Sequence, residues 1–148
     1  MKKIFNLDGH FKCKSLDEDS GIIQIEGYAS TSDVDRVGDV ITPDAWTVSN
    51  GLNSYKSNPI ILFNHDHGKP IGRATSMEVD NRGLKITAEI FQKAAGELYD
   101  IIKAGVLTTF SVGFKIKDAE WRDETNGFLI TDAELFETSV VSLSLIHI

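Results

Sequence analysis

The sequence predicts a mainly β protein with a few helices, in the α+β class. Three observations carry that expectation. Apolar and polar residues alternate with a period of two over Ile22 to Ser30 and over Leu84 to Ile90. Ile60 to His65 is a near-continuous apolar run of strand length, which suggests burial on both faces. Helical spacing is clearest in one segment, Lys93 to Ala104.

The elements follow in order. Residues 1 to 20 are mixed and charged, and read as a short strand or a loose, variable arm that ends in a turn at Asp17–Gly21. Ile23 and Ile25 face opposite Gln24 and Glu26 in the strand that follows. Thr31 to Asp39 crowds Asp33, Asp35, Arg36, Gly38 and Asp39 into a polar loop. Val40-Ile41 is a short strand candidate, and Pro43-Asp44-Ala45-Trp46 opens a helical turn, because proline suits the first helical position. Gly51 to Pro59 reads as a polar connection. Pro70 to Val79 and Leu84 to Ile90 pair as a hairpin across Asn81-Arg82-Gly83. Ala95, Leu98, Ile101 and Ile102 mark the helix, with Gly105 placed to stop it. Val106 to Lys117 returns to strand, Asp118 to Gly127 reads as a loop, and Phe128 to Ile130 and Ala133 to Val141 as two further strands.

The chain has 148 residues, the length of one ordinary domain, and 41% hydrophobic residues give it a normal core. Its formal charge of -7 argues against general nucleic-acid binding, which needs a basic surface, and against adsorption to anionic membranes. A single cysteine, Cys13, excludes an internal disulfide. Met1-Lys2-Lys3 leads into too few apolar residues for a signal peptide, and no apolar run approaches the roughly 20 residues of a membrane span. The expectation is a soluble cytoplasmic protein.

Three side chains could carry chemistry. Ser111 sits in Phe110-Ser111-Val112-Gly113-Phe114. A serine hydroxyl is a weak nucleophile until a positioned base takes its proton, and histidine is the usual base. Gly113 would let main-chain N–H groups near Val112 and Gly113 approach a substrate oxyanion. The plainer alternative is a strand serine with Gly113 marking a bulge. His65 closes its apolar run and begins His65-Asp66-His67. It could activate Ser111, share a zinc ion with His67 and Asp66, or simply lie in a polar turn. Glu137 interrupts Leu135-Phe136-Glu137-Thr138-Ser139-Val140-Val141. A carboxylate buried there needs a partner, and a histidine that must be oriented is one. An exposed strand glutamate is the alternative, and Glu134 is the nearest competitor for the role. Ser32 to Asp39 lacks the sixth-position glycine and terminal glutamate of an EF-hand, so its aspartates read as turn formers paired with Arg36.

Together these segments resemble the prohead proteases of tailed phages, the HK97-type family. The resemblance runs from about Gly27 to Val141. It is carried by Gly27-Tyr28-Ala29-Ser30 with Asp35-Arg36-Val37-Gly38-Asp39-Val40-Ile41-Thr42-Pro43, by His65-Asp66 with Pro70-Ile71-Gly72, by Phe110-Ser111-Val112-Gly113-Phe114, and by Glu137-Thr138-Ser139-Val140-Val141. Each motif is weak alone; their order is specific. The first 20 residues fall outside it. The abrupt apolar end Ser142–Ile148 replaces the proline- and asparagine-bearing turn usual there, and reads as the mark of a truncated frame.

The resemblance implies one protease domain over residues 1–148, with a compact β-barrel-like core resembling the herpesvirus assembly proteases and helices around it. It implies a serine endopeptidase of capsid maturation that cuts scaffold or major capsid protein, and itself, inside the immature capsid in the host cytoplasm. Ser111 would be the nucleophile, His65 the general base and Glu137 the third member. Val112 and Gly113 N–H groups, or Arg73, would hold the oxyanion. No metal or organic cofactor, nucleic acid or membrane is implied, and a homodimer is an open assembly. The rival reading is an inactive scaffold-binding β domain of capsid assembly.

Overall fold

The computed structural model describes residues 4–17, 19–33 and 38–142. Its strands are β1 (Ile4–Asp17), β2 (Ile22–Thr31), β3 (Val40–Ile41), β4 (Ile60–Phe63), β5 (Asp66–Asp80), β6 (Gly83–Phe91), β7 (Thr109–Arg122) and β8 (Gly127–Val141). They lie in the order β3-β8-β4-β5-β6-β2-β1-β7, and a further pairing of β7 with β8 closes the sheet on itself. The ring is a seven-strand barrel, with β3 attached outside it along the start of β8. Closure removes the unpaired strand edges that an open sheet would expose. Around the ring the pairs are antiparallel, except that β4 runs parallel to β8.

The alternating runs do what their pattern requires. Ile23 and Ile25 of β2, Ile86 and Ile90 of β6, and Phe110 of β7 all have 0% exposure and fill the barrel. Each such side chain contributes about 1.5–3 kcal/mol by leaving water. Phe110 packs on Phe11 of β1 at 4.7 Å between ring centroids. The Pro43–Trp46 segment is a 3₁₀ turn that drives Trp46 edge-on against Phe114 at 5.5 Å.

Several expectations need correction. Residues 4–17 are not a loose arm: β1 is built into the barrel between β2 and β7. The helix expected from Lys93 to Ala104 is two segments, α1 (Gln92–Ala95) and α2 (Glu97–Lys103), broken where Gly96 turns to φ 59°. Gly105 does stop α2, at φ 78°; its N–H reaches Ile102 O at 3.1 Å and Val106 N–H reaches Ile101 O at 2.9 Å, which closes the helix end. The connection after Gly51 holds one short helical turn, Asn53–Lys56, which buries Tyr55. Among the described residues no helix exceeds seven residues, and the fold is the expected mainly β one with few helices and a barrel core.

Of the expected loop Asp118 to Gly127, only Asp123 to Asn126 is a turn. β7 continues to Arg122, and the two strands expected after it are one strand, β8. Trp121 and Phe128 pair edge-to-face across this extension at 5.2 Å. The polar sequence there reflects strands exposed to water, not the absence of strands. The expected pairing of Arg36 and the end Leu143–Ile148 lie outside the described residues.

Candidate active site

The register of β7 against β8 sets the site. Ser111 stands opposite Ser139, Val112 opposite Thr138, and Gly113 opposite Glu137, but Phe114 stands opposite Leu135. Phe136 is therefore an extra residue, a bulge in β8. Strand side chains alternate between faces, so one inserted residue exchanges them. Leu135 lies in the core before the bulge, and Thr138 and Val140 are buried after it. Glu137 and Ser139 are left on the face that carries Ser111 and Gly113. The bulge resolves the apparent oddity of a carboxylate in an apolar strand.

β4 brings the third group. It runs beside β8 with Ile61, Leu62 and Phe63 opposite Thr138, Ser139 and Val140. The strand stops at Phe63, two residues short of the expected run to His65: Asn64 and His65 form a two-residue turn, and Asp66 already pairs with Phe63. Both turn residues have positive φ, 51° and 59°, as a hairpin turn of this kind requires. Asn and His tolerate that region better than most residues. The turn is fastened to the end of β8. Asn64 N–H donates to Val140 O at 2.9 Å, and Ser142 N–H donates to Asn64 Oδ1 at 2.9 Å.

The strand order β7-β8-β4 thus gathers Ser111, Glu137 and His65 across 46 residues of sequence between histidine and serine. His65 Nε2 lies 2.9 Å from Ser111 Oγ. His65 Nδ1 meets Glu137 Oε1. A carboxylate can only accept there, so the imidazole carries its proton on Nδ1 and offers Nε2 as the acceptor for the Ser111 hydroxyl. The His65 side chain keeps 29% of its surface open, while Glu137 keeps 14% and Ser111 lies beneath at 2%. The arrangement can draw a proton from Ser111 Oγ onto Nε2 and hold the resulting imidazolium against a carboxylate.

Two contacts escaped the sequence. Ser139 Oγ accepts the main-chain N–H of His65 at 3.0 Å and donates to Glu137 Oε2 at 2.9 Å. Gly113 is also explained differently from expectation: a Cβ there would sit 2.7 Å from Glu137 Oε1, so its bareness makes room for the carboxylate. Tyr55 lies on the core side, where its hydroxyl donates to Ile60 O at 2.8 Å. Burial first, and the Glu137 carboxylate nearby, push its phenol well above the ordinary value.

Of the other singled-out residues, Gly113 enters the cluster only as the space that seats Glu137. β7 is paired on both edges at Val112 and Gly113, to β1 and to β8, so their N–H groups point at neighbouring strands. Arg73 of β5 pairs with Ile60, at the opposite end of β4 from His65, and its guanidinium contacts Glu89 at 3.5 Å and the face of Phe91. Glu134 accepts from Ser54 at 2.9 Å rather than from a histidine. Asp66 accepts the Gly68 N–H at 2.8 Å. Among the described residues no three His, Cys, Asp or Glu side chains gather in a way that could hold a metal ion.

Comparison with known proteins agrees with this fold. The capsid assembly protease of bacteriophage T4 superposes with a TM-score of 0.72 over 95% of this chain and 97% of that one, at 11% identity. The prohead protease of Escherichia phage T5 is 45% identical over 138 residues, 93% of this chain and 66% of that protein. The capsid polyprotein of Pseudomonas phage PAJU2 is 30% identical over 138 residues, 88% of this chain and 19% of that protein. The chain therefore spans less than two thirds of the length of either curated relative. The family model described as caudovirus prohead serine protease matches residues 10–146, nearly the whole sequence. On that match and the T5 identity, the chain belongs to the caudovirus prohead serine protease family.

Proposed function

We propose that this chain is the protease core of a capsid maturation enzyme, a serine endopeptidase in which Ser111 attacks, His65 moves the proton and Glu137 orients the imidazole. One observation carries the reading: His65 Nε2 stands 2.9 Å from Ser111 Oγ while Nδ1 rests on Glu137. In the first step His65 takes the hydroxyl proton as Ser111 adds to the scissile carbonyl. His65 then returns that proton to the leaving amine, and water releases the acyl group by the same route in reverse. The Nδ1 contact keeps the productive tautomer throughout.

The substrates are proposed to be capsid or scaffold protein segments inside the immature capsid of an infected cell. Family membership, the name of the T5 relative and the matching stretch of a capsid polyprotein support this. An inactive scaffold-binding domain would have no use for an ordered hydroxyl–imidazole–carboxylate chain. Co-expression with the major capsid protein of the same phage, followed by mass spectrometry, tests the reading. Trimmed capsid protein with the native chain and full-length protein with Ser111→Ala are expected. Equal trimming by both would overturn it.

A further inference from the structure

We propose that Ser139 is a positioning residue of this site: its single hydroxyl fixes both the base and the carboxylate that orients it. The inference rests on the reading of Ser111, His65 and Glu137 as the reacting groups, and deepens it.

Ser139 has 0% exposure, and a hydroxyl removed from water must find partners within the protein. It finds two, both in the site. As acceptor it takes the N–H of His65 at 3.0 Å; as donor it reaches Glu137 Oε2 at 2.9 Å. A serine has one proton to give and lone pairs to receive, so both bonds can persist together. It does not compete for the imidazole, whose Nε2 is directed to Ser111.

The two bonds answer two separate problems. His65 lies in a turn with φ 59°, a backbone state that costs energy unless its surroundings enforce it. Asn64 is fastened to Val140 and Ser142 on one side of the turn. The Ser139 hydroxyl fastens the His65 amide on the other. Glu137 has the second problem: it can rotate about its terminal bond and present the wrong oxygen. With Oε2 held by Ser139, Oε1 is left facing Nδ1. Ser139 also stands directly opposite Ser111 in the β7–β8 ladder, so base, carboxylate and nucleophile are referenced to one pair of residues.

The test uses the full chain and a fluorophosphonate probe, with labelling rate at Ser111 read by mass spectrometry. Removal of the hydroxyl in Ser139→Ala should slow labelling on the order of 100-fold, the effect of misplacing a reacting group by about 1 Å. Ser139→Thr, which keeps the hydroxyl, should recover most of the rate. The downfield proton resonance of His65 Nδ1–H should weaken or broaden in Ser139→Ala and return in Ser139→Thr. If the alanine variant does not fold, Ser139→Cys, similar in size with a weak hydrogen-bonding sulfur, takes its place. Wild-type labelling with an unmoved resonance in the hydroxyl-free variant overturns the proposal. So does equal slowing in the threonine and hydroxyl-free variants. A parallel Ser111→Ala sample separates the two levels: labelling that survives there refutes the reacting set itself.

Discussion

Gly113 and Glu137 face each other across β7 and β8, and the missing side chain of the first is the space occupied by the second. A Cβ on residue 113 would stand 2.7 Å from Oε1 and 3.1 Å from Cγ of Glu137. Gly113→Ala should therefore push the carboxylate off Nδ1 while leaving the barrel folded. We expect labelling by a fluorophosphonate to fall on the order of 100-fold, with little change in the thermal unfolding midpoint. An alanine variant as reactive as the native chain would show that the carboxylate does not need that seat.

Glu137→Gln tests the charge separately from the shape. The amide can still approach Nδ1, yet it cannot stabilise an imidazolium and can present its NH₂ to the wrong side of the ring. The comparable change in a serine protease triad lowers kcat about 10⁴-fold. A loss of that order is expected in peptide cleavage, and retention of more than a tenth of the activity would show the glutamate to be dispensable.

Asn64 separates turn conformation from turn fastening. Asn64→Gly keeps access to φ 51° but removes the side-chain bond from Ser142 N–H, whereas Asn64→Ala loses both. The alanine variant should be the less active and the less stable, by about 1 kcal/mol or more relative to glycine. Labelling rate and denaturant midpoint measure the two effects, and the reverse order would contradict the strained-turn account.

A fourth expectation concerns the barrel away from the site. Glu26 of β2 accepts from Lys14 Nζ at 3.0 Å and Thr87 Oγ1 at 2.9 Å, which hold its carboxyl at about 2, below the usual range. Its folded value is depressed, so its contribution is complete above the unfolded value near 4.5 and is lost as pH falls toward 2. As a surface cluster it should be worth under about 1 kcal/mol. Urea unfolding of the native chain and Glu26→Gln should converge across that acid window; a constant gap would refute the assignment.

Strand alternation made β2 and β6 legible, because each has one face on the core and one outside it. Ser111, His65 and Glu137 could be singled out because a hydroxyl, an imidazole and a carboxylate in apolar strand runs invite an explanation. What brings them together was not visible. Closure of the ring and the parallel β4–β8 pair are long-range facts with no local signature. The bulge at Phe136 left a trace: buried Leu135 and Thr138 are three residues apart where simple alternation demands two. The turn at Asn64-His65 was masked by the apolar run before it, since neither residue is the glycine that usually announces positive φ. Ser139 lay within a quoted motif, yet nothing local marked its role, which depends on which strand lies across from it. Polarity misled at Asp118 to Gly127, where a hairpin extends into water.

The most direct measurement follows from two serines standing opposite each other, Ser111 and Ser139, only one of them on Nε2 of His65. Mapping the site of fluorophosphonate attachment by peptide mass spectrometry on the native chain decides between them and tests the whole arrangement. The account predicts one adduct per chain, on Ser111, absent in His65→Ala. An adduct on Ser139, or undiminished labelling without His65, would contradict it.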